Sequence, residues 1–361
     1  VRTLLNRDLG AETDTNDNIG QGDPELNLAP PRLPGSTGPG ILENMTPGAV
    51  VLRVLLFVIL VVGLSATMGT LAAMAGLITG SNLFTGGLFY SEAIKAIGTL
   101  LAAWVMSRLE NRRPGEYGLP WRPGLGKLFF QGAAFGIVEI CGIIGVLTAA
   151  GYYSFGSLNV HGADLVKWAV FWIVLFVIVG FFEEYAFRGY VQFALTKGFG
   201  FWPATIVTSM IFGSVHLTNP GESWPGIVGV VVVGIFWCFT LRRTGTLWFA
   251  FGMHAAFDFG ETFLFSVPDS GVVFPGHLSS AVIHDGPVWL VGGTAGPEAS
   301  VLDFAILAIF FYVVHRMYPA KPELAASGAA MGVVPAGEFA VSIETPAGPS
   351  GGENQRTSSE A

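Results

Sequence analysis

The chain reads as an all-α, polytopic transmembrane bundle of about eight helices, with a disordered cytoplasmic tail at each end. Three observations carry this expectation. The 361 residues are 51% hydrophobic and only 12% charged, which is too apolar for an ordinary water-soluble domain. The apolar residues gather into continuous segments of bilayer-crossing length without period-two alternation, so helices are predicted and a barrel is not. The formal charge of −8 sits at the ends: residues 1–47 hold three basic and seven acidic groups, and residues 322–361 hold one and five, which leaves fourteen of each sign in the body.

The elements follow in order. Residues 1–47, rich in Asp, Asn, Gly and Pro, and residues 321–361, rich in Ala, Gly, Ser, Pro and Glu, bury too little apolar surface to offset the cost of ordering. The acidic N-terminus lacks the charged-then-apolar pattern of a cleavable signal. Between the tails, residues 48–320 form the membrane-embedded domain. Its apolar segments lie at 50–78, 86–107, 127–152, 164–188, 201–217, 225–241, 246–265 and 300–317. The fifth and sixth are short, as expected of weakly tilted or partly re-entrant helices. With the N-terminus inside, the inner ends and loops hold Arg53, Arg108, Arg112, Arg113, Arg122, Lys127, Arg188, Lys197, Arg242, Arg243, Arg316 and Lys321, against Lys167 and Lys95 outside. That bias fits the positive-inside rule and makes both tails cytoplasmic. The loop 266–299 has no Lys or Arg and falls outside. A valine at position 1 suggests a non-ATG start codon, and so a bacterial plasma membrane. Nucleic acid is not an expected partner, because no basic stripe exists. Cys141 and Cys238 offer neither a disulfide framework nor a C-x-x-C metal signature.

Ionisable groups within apolar helices are costly and usually mark function. Three constellations stand out. Glu183 and Glu184 close the fourth segment, and Arg188 follows Glu184 at i, i+4, where the two can pair. Glu183 points about a quarter turn away, toward a different neighbour. The expected division is structural for the Arg-paired carboxylate and chemical for the other, whose desolvated environment suits a general base acting on water. Phe212 and His216 share a face of the fifth segment, and His254 and Asp258 a face of the seventh, with Glu261 at i+7. Each has a plain reading as well: a snorkelling pair at a helix end, or an interface histidine. A His and an Asp together within one membrane helix are harder to explain as packing.

The triple EExxxR, FxxxH, HxxxN/D on successive apolar helices resembles the CPBP family of intramembrane proteases, which includes the CAAX prenyl endopeptidases of the Rce1 type and the bacterial Abi proteins. Here the motifs read Glu183-Glu184-Tyr185-Ala186-Phe187-Arg188, Phe212-Gly213-Ser214-Val215-His216 and His254-Ala255-Ala256-Phe257-Asp258. The stretch Arg112–Leu119 is similar to the loop that precedes the core in such proteins. The resemblance covers about residues 108–260, with its core at 164–260. It implies a membrane-embedded (metallo)endopeptidase acting on a membrane-associated peptide or protein substrate. Glu183 would activate water, Glu184 would support it with Arg188 as partner, and His216 and His254 would stabilise the oxyanion or hold a metal. The last motif residue is often Asn in the family. Asp258 cannot donate a hydrogen bond when ionised, so it stays protonated, orients His254 or ligates a metal.

Zinc is the metal to consider. Two His, one carboxylate and an open water position make a known catalytic set; His216 and His254 with Glu183, or with Glu184 or Asp258, would supply it. The H-E-x-x-H motif is absent. A non-proteolytic scaffold or immunity protein, or a proton-coupled transporter, would use the same residue types. One tension stands in the spacing. His216 lies thirteen residues after Pro203, about 20 Å along a helix at ~1.5 Å per residue. Glu183 and Glu184 are expected at the inner end of theirs. Outside the motifs, Glu139 is expected to line the cavity or pair with Lys95, Glu92 to pair with Lys95, and Asp303 to serve as a helix N-terminal charge.

Overall fold

The protein, as a computed structural model, is described over residues 45–79, 86–121 and 124–319. The expected tails lie outside the described residues except for Met45, Thr46 and Pro47, and so do Arg122 and Lys321. All eight apolar segments form helices. Helix α1 (Pro47–Met74) starts where the Thr46 hydroxyl accepts from the Ala49 N–H and Pro47 takes the first position, where its missing N–H costs nothing. It packs along α2 (Leu88–Leu109).

At the α2 C-terminus the buried Glu110 gathers three elements: it accepts from Arg53 at 3.1 Å, Tyr117 at 2.9 Å and Tyr190 at 2.6 Å. The same loop receives the start of α8 (Trp248–Phe259), because Leu247 N–H donates to Gly118 and Trp248 Nε1 to Pro120. The loop 266–299 stands at the opposite end of α8.

Helix α8 is buried on nearly all sides, as its all-round apolarity requires. Its most extensive contact is with α3 (Lys127–Ala149). Glycines set that approach: a Cβ at Gly132 would overlap the Phe249 carbonyl, one at Gly136 the Met253 carbonyl, and one at Gly252 the Phe129 carbonyl. Small residues at such crossings let backbones close to van der Waals contact.

The fourth segment runs further than expected. Helix α4 (Gly162–Glu183) continues through a π-helical stretch (Glu184–Val191) into α5 (Gln192–Phe199), a continuous helix of 38 residues, where the sequence predicts an end near 188. Burial of Gln192 explains the extension. Its amide donates to Thr196, Thr205 and the Phe201 carbonyl, and its oxygen accepts from Thr208 at 2.8 Å. Apart from Thr196, one turn on in α5, those partners belong to α6 (Phe201–His216), which reverses direction at Gly200 (φ 83°).

Helix α7 (Trp224–Thr244) is capped by Ser223 and ends at Gly245 in the left-handed region. After α8 a second π stretch (Gly260–Leu264) leads into the 266–299 loop. That loop carries β2 (Val282–Ile283), paired antiparallel with β1 (Tyr153–Ser154) so that Tyr153 faces Ile283, and the short α9 (Val288–Val291). Helix α10 (Val301–Met317) closes the bundle, capped by Ser300. Among the described residues, five helices, Gly162–Phe199 counted as one, are long and apolar enough to cross a membrane. The chain is an integral-membrane helical bundle.

Candidate active site

The extension of α4 into α5 brings the motifs to one depth. Glu184 lies sixteen residues before Gly200 and His216 sixteen after it. At ~1.5 Å per residue both stand about 24 Å from the turn. The mismatch expected from the spacing therefore vanishes. The glutamates do not close the helix; they sit mid-way along it, at the start of its π-helical stretch. Such π insertions recur at functional sites because they re-aim side chains.

His254 is the hub. Its Nδ1 lies 3.1 Å from Glu184 Oε1, and its Nε2 lies 3.4 Å from Asp258 Oδ2 and 3.7 Å from Glu183 Oε2. Glu183 and Glu184 thus converge on the same imidazole from its two nitrogens, where the sequence suggested different neighbours. Carboxylates only accept, so the Glu184 contact fixes a proton on Nδ1. Glu184 is buried and also accepts from Arg188 Nη1 at 3.1 Å. The Glu183 side chain is 19% exposed and faces the cavity. The expected division between an Arg-paired carboxylate and a more accessible one is thus present in the geometry.

Aromatic rings enclose Arg188 and His254. Arg188 is fully buried, its Cζ 3.8 Å from the Phe212 ring centroid and 5.1 Å from that of Trp237. Trp237 stacks on His254 at 4.3 Å and 18°. A Cβ at Gly234 would press on Arg188 Nη2, so that glycine makes room for the guanidinium. Trp237 and Gly234 belong to no motif. In an apolar segment a tryptophan carries the same pattern as any core residue, and only the stack identifies its role.

His216 stands across Phe212 from His254: the Phe212 ring centroid lies 4.7 Å from His216 and 6.4 Å from His254. His216 Nδ1–H donates to the Phe212 carbonyl at 2.8 Å, which leaves Nε2 for the cavity. That cavity, of about 440 Å³, is lined by Glu183, His216, His254 and Asp258. Just beyond α6, Glu222 accepts from the Ser223 N–H at 2.7 Å. Burial pushes its carboxyl above the usual range, opposed by that hydrogen bond and by His216.

Glu139 and Asp303 also line the cavity, and they face each other. Lys95 pairs with Glu92 at 2.6 Å, leaving Glu139 as a cavity residue. Asp303 occupies the first turn of α10 as expected, and its burial against Glu139 adds a contact the sequence did not signal.

The trio His216, His254 and Glu183 does not assemble as metal donors. Among the described residues, the one group of three His, Cys, Asp or Glu with ligand atoms all within 4.8 Å of each other is Glu261, Asp269 and Glu298. Both nitrogens of His254 face carboxylates. This donor arrangement does not fit a catalytic zinc set.

Residues 165–260 match the family model of the type II CAAX prenyl endopeptidases, Rce1-like. That range coincides with the 164–260 core expected from the three motifs. No curated protein and no solved structure matches the chain.

Proposed function

We propose that this Rce1-like chain is an intramembrane endopeptidase that hydrolyses a peptide bond of a membrane-associated peptide or protein. The observation that carries the reading is the imidazole of His254, held between Glu184 on one nitrogen and Glu183 with Asp258 on the other, at the wall of a cavity inside apolar helices. In this mechanism Glu183 takes a proton from a cavity water, which attacks the scissile carbonyl carbon. His216 Nε2 flanks the site where charge develops on the carbonyl oxygen and donates to it in its protonated form, and His254, held by carboxylates at both nitrogens, lines the same site. The proton on Glu183 then passes to the leaving amine. Glu184 and Arg188 do not touch substrate; they fix the ring of His254, and Asp258 holds its Nε2 side. The matching family is described as type II CAAX prenyl endopeptidases. A lipidated C-terminal peptide is accordingly one substrate to offer, beside unmodified membrane peptides.

The test is cleavage of membrane-peptide libraries by purified protein in detergent, with metal content measured on the same preparations. Glu183→Gln and His254→Ala are each expected to lose about 100-fold or more in rate while still inserting. Full proteolysis by both variants would overturn the reading.

A further inference from the structure

A second cluster of acids lies where α8 gives way to the 266–299 loop. Glu261 follows His254 by seven residues on the π extension of α8; Asp269 and Glu298 come from the loop. One carboxylate oxygen from each lies within 4.8 Å of the others. An acidic cluster of itself binds nothing. Here a second observation points to a ligand: Glu261 is 0% exposed, and neither of its oxygens meets an N–H or hydroxyl donor among the described residues, only the facing Glu298 carboxyl. A buried, unpartnered carboxylate is costly, and this one faces two more acids with no Lys or Arg in the loop.

The two loop acids are held in place. Asp269 accepts from Thr262 at 3.0 Å, and Glu298 accepts from the Ser270 backbone N–H at 3.1 Å and from its hydroxyl at 3.0 and 2.9 Å. Ser270 takes a positive φ of 43°, unusual for a residue with a side chain, and that conformation aims its N–H at Glu298. Asp269, Ser270 and Glu298 also line the large cavity, which gives an entry path and room for water ligands.

We propose that Glu261, Asp269 and Glu298 bind one oxygen-preferring divalent cation, of the calcium, magnesium or manganese class. Three carboxylates with no nitrogen or sulfur donor suit these hard ions, with water completing the coordination shell. The cation pins the 266–299 loop to the helix that carries His254 and Asp258. The inference stands apart from the proteolytic reading and would hold if the chain cut nothing.

The experiment uses the full chain in detergent, stripped with chelator and titrated with calcium, magnesium or manganese chloride, with zinc chloride for comparison. The readouts are the thermal unfolding midpoint and calorimetric binding; for manganese, the loss of the free-ion paramagnetic signal is added. Saturable binding is expected, with a rise in the midpoint. Glu261→Gln, which keeps the volume, is expected to weaken binding at least tenfold. Asp269→Asn and Glu298→Gln, at half-buried sites, are expected to do the same and serve if the first variant fails to fold. Glu183→Gln is expected to bind as the wild type does, separating this site from the His254 centre. No saturable binding of any of the three ions up to about 10 mM, beyond the weak end of calcium modules, would overturn the proposal. So would unchanged affinity in all three cluster variants, or a Glu261→Gln protein of higher midpoint whose wild type ignores cations, since that outcome assigns the cluster a shared proton.

Discussion

Glu183 and Glu184 are neighbours in sequence with different surroundings, and the difference predicts different failures. Glu184 is buried against Arg188 and His254. Glu184→Gln leaves the Arg188 charge uncompensated in an apolar interior, and about 3–5 kcal/mol of stability is expected to go with it, read as a lower unfolding midpoint. Glu183 faces the cavity, so Glu183→Gln is expected to abolish cleavage with the midpoint nearly unchanged. Equal destabilisation by the two would remove the division of labour. Arg188 sits between the Phe212 and Trp237 rings, a planar fit that lysine does not reproduce. Arg188→Lys is expected to lower both midpoint and rate, whereas Trp237→Leu is expected to lower the rate more than the midpoint, by freeing the His254 ring. A wild-type rate in Trp237→Leu would reduce the stack to packing. The motif residues themselves were legible in the sequence because an ionised group in an apolar run stands out. The hub position of His254 was not, because i, i+4 spacing fixes a shared face and says nothing of which imidazole nitrogen meets which helix.

At the scale of elements, every apolar segment was legible as a helix, because burial in a bilayer forces each span to satisfy its own backbone. The extension through residues 184–199 was not. Residues after Arg188 become more polar, and the Gln192 network that makes them helical draws its partners from α6. The contact of α3 with α8 gives a sharp test. Gly132→Ala would place a Cβ on the Phe249 carbonyl, whereas Gly145 on the same helix has open space around it. The first substitution is expected to cost about 1–3 kcal/mol by overpacking. The second is expected to be neutral or slightly stabilising. Comparable midpoints for the two variants would show that the glycine contact carries no energy.

For the molecule as a whole, the stretch 110–121 gathers at one end of α8 and the loop 266–299 at the other. The positive-inside rule predicts that the first end is cytoplasmic, and labelling tests it. In a Cys141→Ala background, Asp285→Cys is expected to react with an impermeant maleimide on intact cells and Arg113→Cys only after lysis; the reverse pattern would invert the orientation. Hydropathy and charge, read along the chain, determined which apolar segments are helical, their order and the residue types at the site, because those properties act on each span locally. Only the tertiary structure decided the depth and rotation at which the spans meet. The π stretch, the turn at Gly200 and the glycine-lined α3–α8 contact set these through atoms far apart in sequence. The convergence on His254, and the Glu261 cluster beside it, are therefore properties of the assembled bundle.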